Sequence, residues 1–382
     1  MHVMHINFVI DRERRVPDKL LHDWYSLVEV AGSAVSANVR VSVAQASLYE
    51  ARVEREGAQF YFVPPDSEHE SMIEGRAFRL LVDKLQPEVF HAHGLGFPRE
   101  TAALHALAPH VPVILQDHAD RLPRFFWRRA SLRRGLAQVS GVVFCAQEQA
   151  LPFVESGVLP RAVRVFEYAG TSTRFMPGDQ AQARTVTGVY GDPCVLWVGH
   201  LNSNKDPLTI LRGLRDCVAQ LPDLHLWCCF GTAPLMDAVR REIAQSPSLV
   251  ERVHLLGDTP HERIEHFMRA ADVFVLGSHR EGSGVSLIES LAAGLPPAVS
   301  DIPSFRAITG QGAVGALWKC GDSQAFSRAL LAVAAQPRGL ARTAARAHFE
   351  KQLSFAAGGA RLRDAYRDLV EQRGTGLEQA VT

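Results

Sequence analysis

The densest cluster of reactive chemistry in the chain is Glu281-Gly-Ser-Gly-Val-Ser-Leu-Ile-Glu289. Two carboxylates flank a glycine-rich turn, and the run Ser-Leu-Ile-Glu-Ser-Leu-Ala-Ala behind it has the pattern of a helix beginning near Val285. Gly282 and Gly284 let the backbone approach a ligand closely. A helix start behind such a turn offers N–H groups and a positive dipole end, which suits a diphosphate. Glu281 precedes the helix. Glu289 lies about one turn inside it on the same side, where a carboxylate can accept two hydrogen bonds from a ribose diol. The plainer reading is a helix capped by Ser283 or Ser286 that carries two solvated glutamates.

A second element runs from Val195 through Leu-Trp-Val-Gly-His-Leu-Asn-Ser-Asn-Lys-Asp to Pro207. It reads as a strand ending at Gly199, a polar loop, and a helix from about Asp206. Lys205 closes the loop, where an ammonium can oppose a leaving phosphate; a surface lysine at a helix start is the alternative. In the first half, Pro87-Glu-Val-Phe-His-Ala-His-Gly94 sets His91 and His93 on one face of a strand. That pairing invites a metal reading, but no third ligand is spaced nearby and no Asp-x-Asp triplet occurs, so His93 is read as a polar residue lining a cleft. The next strand, from Val111, ends in Gln116-Asp-His118 and supplies His118, with Asp117 and Asp120 as weaker candidates.

The elements that must hold these residues follow a βαβ grammar. Short apolar runs at His5–Ile10, Val39–Val43, Phe60–Val63, Val89–Ala92, Val111–Leu115, Gly141–Cys145 and Val163–Glu167 alternate with amphipathic stretches such as Ser71–Leu85 and Ala102–Ala108. The alternation pauses over Phe175–Pro193, a polar stretch punctuated by Gly and Pro. It restarts with Cys194–Val198, His225–Phe230, Val253–Leu256, Val273–Leu276 and Ala298–Ser300. This is the signature of two α/β domains with parallel sheets, and their ligands belong at the carboxyl ends of the strands. Neither domain opens on the Gly-x-Gly-x-x-Gly turn of a nicotinamide-dependent dehydrogenase.

Bulk properties narrow the class. A chain of 382 residues, 47% hydrophobic and 21% charged, suffices for two cores. Forty-one basic residues cancel forty-one acidic ones, so no global field favours nucleic acid or a membrane. The six cysteines form no Cys-x-x-Cys pair and are expected to be reduced core residues. The amino-terminal segment lacks a signal-peptide layout and no apolar run reaches spanning length, giving an expectation of a cytoplasmic protein. One local exception is Arg121-Leu-Pro-Arg-Phe-Phe-Trp-Arg-Arg-Ala-Ser-Leu-Arg-Arg134. Its arginines and aromatics could touch anionic lipid at the inner membrane surface or a phosphorylated acceptor; a solvated helix face is the alternative.

Taken in order, Gly199…Lys205, His254-Leu-Leu-Gly257, Ala270-Ala-Asp-Val-Phe-Val-Leu-Gly-Ser278, Glu281…Glu289, Leu291-Ala-Ala-Gly-Leu-Pro296 and Asp301 resemble the C-terminal half of the retaining glycosyltransferases of family 4, the group 1 transferases. The resemblance is strong over Cys194–Ala335 and loose elsewhere. It implies a GT-B fold: two Rossmann-like, doubly wound parallel-sheet domains facing a cleft, with a C-terminal helix packing back towards the N-terminal domain. The implied division is an acceptor-side domain over 1–178, a donor domain over 190–350, and a C-terminal helix and tail over 351–382. It further implies metal-independent transfer of a hexosyl-type sugar from a UDP- or GDP-sugar to a saccharide, lipid-linked or small-molecule acceptor, in polysaccharide or glycoconjugate biosynthesis. No cofactor beyond the sugar nucleotide and no nucleic-acid partner is implied.

Residue by residue, Lys205 resembles the lysine on the donor diphosphate, Glu289 the carboxylate on the ribose, and Glu281 the acid that contacts the transferred sugar. The amides of Ser283, Gly284, Val285 and Ser286 would line phosphates and sugar. Gly199 and Gly231 match glycines of the donor-side turns, and His118 resembles a histidine near the reacting sugar. Two positions depart from the pattern. His200 stands where the family has an arginine, which makes phosphate binding weaker or pH-dependent. Ile10-Asp-Arg-Glu-Arg-Arg-Val-Pro17 replaces a glycine pair on the acceptor side. These departures leave a second reading, a catalytically impaired scaffold that binds a sugar nucleotide or a partner.

Overall fold

In the computed structural model, which describes residues 1–67, 70–118 and 121–380 (the last few by backbone alone), the chain divides into two compact units. One is Met1–Ser172 together with the chain from Phe355 onward; the other is Thr173–Ser354.

The first unit is built on strands β1 (His2–Asn7), β2 (Arg40–Ala46), β3 (Ala51–Arg55), β4 (Ala58–Val63), β5 (Val89–His93), β6 (Val113–Gln116), β7 (Gly141–Phe144) and β8 (Arg164–Glu167). Their spatial order is β3-β4-β2-β1-β5-β6-β7-β8, parallel throughout except for β3 against β4. Unbroken apolar runs suit such a sheet because both faces are covered. Met4, Ile6, Phe90, Ala92 and Leu115 pack on one face with Phe78, Leu104 and Leu132. Val3, Val43, Val89 and Ile114 pack on the other with Leu27, Val30, Leu362 and Tyr366. The last two belong to the C-terminal helix Phe355–Ala380, which packs on the helix Tyr25–Ser36. The two helices meet at Gly359, where a Cβ would lie 1.9 Å from the carbonyl oxygen of Ser33.

The second unit carries β9 (Cys194–Val198), β10 (His225–Cys229), β11 (Val253–Gly257), β12 (Val273–Leu276), β13 (Pro297–Ser300) and β14 (Ala316–Trp318). All are parallel, in the order β11-β10-β9-β12-β13-β14. This is the doubly wound order, in which winding reverses between β9 and β12 and leaves a crevice beyond their carboxyl ends. The first sheet reverses likewise between β1 and β5.

Several elements differ from the sequence expectation for local reasons. β1 ends at Asn7 rather than Ile10, because the Asn7 Oδ1 accepts the Val9 N–H at 3.2 Å and turns the chain. The stretch Ser71–Leu85 breaks into a 3-10 turn, Met72–Glu74, and a helix from Arg76: Ser71 and Glu74 cap each other, and Gly75 is extended. The punctuated stretch Phe175–Pro193 holds a helix, Gln180–Thr187, capped by Asp179 and stopped by Gly188. β3 is an exposed edge rich in charge, and β14 is only three residues long.

No disulfide joins the six cysteines, and burial pushes the Cys194 thiol up to about 12. Beside Cys194, the buried carboxylate of Asp272 ties the second unit together. It accepts the Cys194 N–H at 2.8 Å, the Gln180 Nε2 at 2.9 Å and the Arg184 Nη2 at 2.9 Å. Removing a partner that serves this many donors leaves them unpaired. Asp272→Ala is therefore expected to destabilise the protein by about 3 kcal/mol in chemical denaturation.

Candidate functional site

The reversal between β9 and β12 brings together the two loops singled out from the sequence. After β9, Asn202 Oδ1 accepts the Lys205 N–H at 3.0 Å, and Asp206 caps the helix Pro207–Val218. After β12, His279 donates its backbone N–H to the Asn204 carbonyl at 2.7 Å, and Asn204 Nδ2 donates to the Arg280 carbonyl at 2.9 Å. Asp206 Oδ2 also meets His279 Nε2 at 3.1 Å. Stitched in this way, the loops place Lys205 Nζ in an ion pair with Glu281 Oε1. The same carboxylate accepts the Ser278 hydroxyl at 2.5 Å. Both charged side chains are largely buried, at 17% and 14% exposure, so their mutual neutralisation is only weakly screened.

Immediately beyond, Gly284 adopts φ 70°, ψ 53° and starts the helix Val285–Ala292. A Cβ on Gly284 would lie 2.7 Å from Phe305, so glycine is required both by the left-handed backbone and by the packing beneath it. No side chain caps this helix, neither Ser283 nor Ser286. Its first-turn amides remain the kind of donor array that binds anions. Glu289, one turn in, is not a solvated glutamate. It is 3% exposed, and its Oε1 meets His261 Nε2 at 2.5 Å. His261 opens the helix His261–Ala270 and its ring stacks on Phe175. Sequence reasoning missed His261, whose only signal was its place in the turn after β11.

Gly199 and Gly231 follow β9 and β10, with His200 between their turns. His200 Nδ1 accepts the Thr232 N–H at 3.1 Å, so a neutral ring carries its proton on Nε2. The imidazole therefore presents an N–H without needing a charge. A Cβ at Gly231 would sit 3.5 Å from the ring, an ordinary contact, so His200 packs directly against this turn.

The first unit has its own cavity at its strand reversal, about 310 Å³, lined by Asn7, Val9, Trp24, Leu27, Phe97, His93 and His118. His93 is buried; its Nδ1 meets His118 Nε2 at 3.0 Å and its Nε2 meets His5 Nδ1 at 3.2 Å. His91 turns to Tyr366, its Nδ1 lying 2.6 Å from the hydroxyl. Burial holds His5, His91 and His93 well below the ordinary histidine pKa. The pair His91 and His93 thus has further imidazoles beside it, joined to one another by hydrogen bonds; among the described residues no group is arranged to hold a metal ion. Asp117 is buried, its N–H on the Val143 carbonyl, and does not line the cavity; Asp120 lies outside the described residues.

Burial raises the pKa of Glu289, while the bond to His261 opposes that shift. A carboxyl whose folded pKa exceeds its unfolded one loses stability as pH rises from the unfolded value through the folded value. Ionised Glu289 is therefore a net cost to the unliganded fold at neutral pH. Glu289→Gln is expected to stabilise the ligand-free protein by about 0.5–2 kcal/mol at pH 7, with no gain at low pH. Thermal melts across a pH series check this.

Residues 179–351 match the family described as glycosyl transferases group 1. The D-inositol 3-phosphate glycosyltransferase of Nocardia farcinica is 28% identical over 202 residues, 51% of this chain and 45% of that protein. The GDP-mannose:cellobiosyl-diphosphopolyprenol alpha-mannosyltransferase of Xanthomonas campestris is 24% identical over 65% of each chain. The chain spans about half the length of several of the curated relatives it matches. Among solved structures, Anabaena HepE in complex with UDP superposes with a TM-score of 0.69 at 14% identity, covering 96% of this chain and all of that one. The chain therefore has the GT-B fold, and most of its second unit matches the group 1 glycosyltransferase family.

Proposed function

We propose that this protein transfers a sugar from a UDP- or GDP-sugar to an acceptor hydroxyl with retention at the anomeric carbon. The observation that carries the reading is the Lys205–Glu281 ion pair set beside the uncapped start of the helix Val285–Ala292. A diphosphate at that helix start receives the amides of Ser283, Gly284, Val285 and Ser286 and the Lys205 ammonium. Glu281, released from Lys205, is then available to hydroxyls of the transferred sugar. Glu289, oriented by His261, accepts from the ribose diol. Similar proteins support the donor class: HepE binds UDP, and the Xanthomonas enzyme is named for GDP-mannose.

In the reaction, the bond from the anomeric carbon to the diphosphate breaks and a bond to the acceptor oxygen forms on the same face. The acceptor proton passes to the departing phosphate oxygen. Negative charge grows on the nucleoside diphosphate, where Lys205, the Nε2–H of His200 and the helix amides oppose it. These groups supply the stabilisation for which the proposal invokes no metal. A neutral His200 that still donates also weakens the case for a catalytically impaired scaffold.

The acceptor side is assigned to the first unit's cavity, where His93 and His118 meet apolar walls from Trp24, Leu27 and Phe97. A lipid-linked acceptor in polysaccharide or glycoconjugate assembly is consistent with the diphosphopolyprenol in the Xanthomonas enzyme's name. It also gives a use to the helix Phe126–Leu136 and the turn before it. Phe125, Phe126 and Trp127 are 53%, 78% and 54% exposed among six arginines and no acidic residue over Arg121–Arg134. Among the described residues no helix is long and apolar enough to cross a membrane. Peripheral binding to the cytoplasmic leaflet is the arrangement proposed, each arginine adding about 1 kcal/mol near anionic lipid.

Three outcomes test this reading. Lys205→Ala is expected to lower kcat by about 10²–10³-fold. Glu289→Ala is expected to weaken UDP or GDP binding by about tenfold or more in calorimetry, since a hydrogen-bonded carboxylate is lost from the ribose. Unchanged kinetics in both variants would exclude the site. Replacing Phe125, Phe126 and Trp127 by Ser should abolish co-sedimentation with vesicles rich in phosphatidylserine while leaving the fold intact; full binding by that variant would exclude the membrane role.

A further inference from the structure

Two helices of the second unit bring a buried carboxyl and an imidazole together. Glu289 sits on the helix Val285–Ala292, and His261 opens the helix His261–Ala270. Among the described residues, the one hydrogen bond to the Glu289 carboxyl comes from His261, Nε2 to Oε1 at 2.5 Å. The His261 side chain is itself 42% exposed, so burial alone does not hold its ring. The ring lies against Phe175, with centroids 5.2 Å apart and planes 29° from parallel. Phe175 is buried and stands ahead of the first helix of the second unit.

The backbone around Phe175 is bonded to both of these helices. Glu265 Oε1 accepts the Met176 N–H at 2.8 Å, and Arg269 Nε donates to the Met176 carbonyl at 2.8 Å. Glu265 and Arg269 follow His261 at successive intervals of four residues, so the three share one face of their helix. On the other side, Arg346 Nη1 donates to the Phe175 carbonyl at 3.0 Å and to the Ala292 carbonyl at 2.5 Å. Ala292 ends the helix that carries Glu289. Thr173 Oγ1 accepts the Phe175 N–H at 3.3 Å, which completes the pairing of that residue's backbone. Phe175 and Met176 therefore brace one helix against the other.

We infer that Phe175 and His261 are positioning residues that make the nucleotide site select ribose over deoxyribose, acting through Glu289. The brace sets the two helices, Phe175 steadies the imidazole, and His261 donates from Nε2 to the ionised carboxylate. One lone pair of Oε1 is taken in this way, and the rest of the carboxylate's accepting capacity is held in a single orientation. A diol fills that capacity with two hydroxyls. A deoxyribose supplies one, and leaves an acceptor unpaired in a buried place. Without the imidazole the carboxyl is free to turn, and the second hydroxyl gains less. The inference rests on the reading that Glu289 receives the ribose, and it does not require either ring to touch the ligand.

Calorimetric titration of the full chain with UDP and GDP, and with dUDP and dGDP, tests it. The unmodified protein is expected to bind the ribonucleotide about tenfold or more tightly than its deoxy counterpart. Glu289→Ala is expected to abolish that preference. His261→Leu is expected to reduce it to about threefold or less, and Phe175→Leu, which keeps an apolar side chain, to reduce it in the same direction. His261→Gln, whose amide can donate in place of Nε2, is expected to restore most of it. A purely structural role would weaken both nucleotides alike and leave their ratio unchanged. An unchanged ratio in His261→Leu or Phe175→Leu, with the preference lost in Glu289→Ala, would overturn the inference and leave the ribose reading intact. Full preference in Glu289→Ala, or none in the unmodified protein, would defeat the ribose reading and the inference with it.

Discussion

The second sheet reverses its winding between β9 and β12, and the meeting of Lys205 with Glu281 depends on that topological fact. Strands that neighbour each other in space but whose loops leave in opposite directions cannot fill the space above their ends with their own chain. The protein closes only the floor of that space. Asn204, Asp206 and His279 hold the two loops together, and Asn202 braces the first loop from within. What rises from this floor is a single ammonium and a single carboxylate in contact. A pair of this kind costs little when empty, because each charge neutralises the other, and it can be opened by a ligand with a negative and a hydroxylic part.

Glu289 follows the opposite logic. It is buried, its carboxyl pKa is raised by desolvation, and His261 recovers only part of that cost. A fold optimised for stability alone would place an apolar residue there, as it does at the neighbouring Leu287, Ile288 and Leu291, all fully buried. Keeping a carboxylate among them is intelligible if a ligand contributes the missing donors. The same holds for the helix start above it, where Gly284 sits over Phe305 and no side chain supplies a cap.

Much of this was legible in the sequence because it is local. Strand runs such as Cys194–Val198 and Val273–Leu276 fell where apolar residues are unbroken, and the helix after Gly284 began at Val285. Breaks set by side-chain bonds were less visible: Asn7 ending β1, or Ser71 and Glu74 capping a turn ahead of Gly75. Partners distant in sequence were invisible. Nothing near Glu289 announces His261, and nothing near His5 announces Tyr366, which lies in a helix that approaches Ser33 closely at Gly359. Those pairings exist through strand order and helix packing, which a single sequence does not encode residue by residue.

The two units solve the problem of a buried polar group in different ways. In the second, Glu289 and the uncapped amides leave polar capacity in reserve for a ligand. In the first, the imidazoles and Tyr366 spend nearly all of theirs on one another, and burial keeps the inner rings uncharged. A reserve of unpaired donors favours binding of a charged molecule, because its charge arrives with compensating contacts. A closed series of neutral groups cannot bind charge in that way; it holds its members in place. Polar capacity held in reserve and polar groups satisfied by one another are two ways to bury such groups, and each unit of this chain uses one of them.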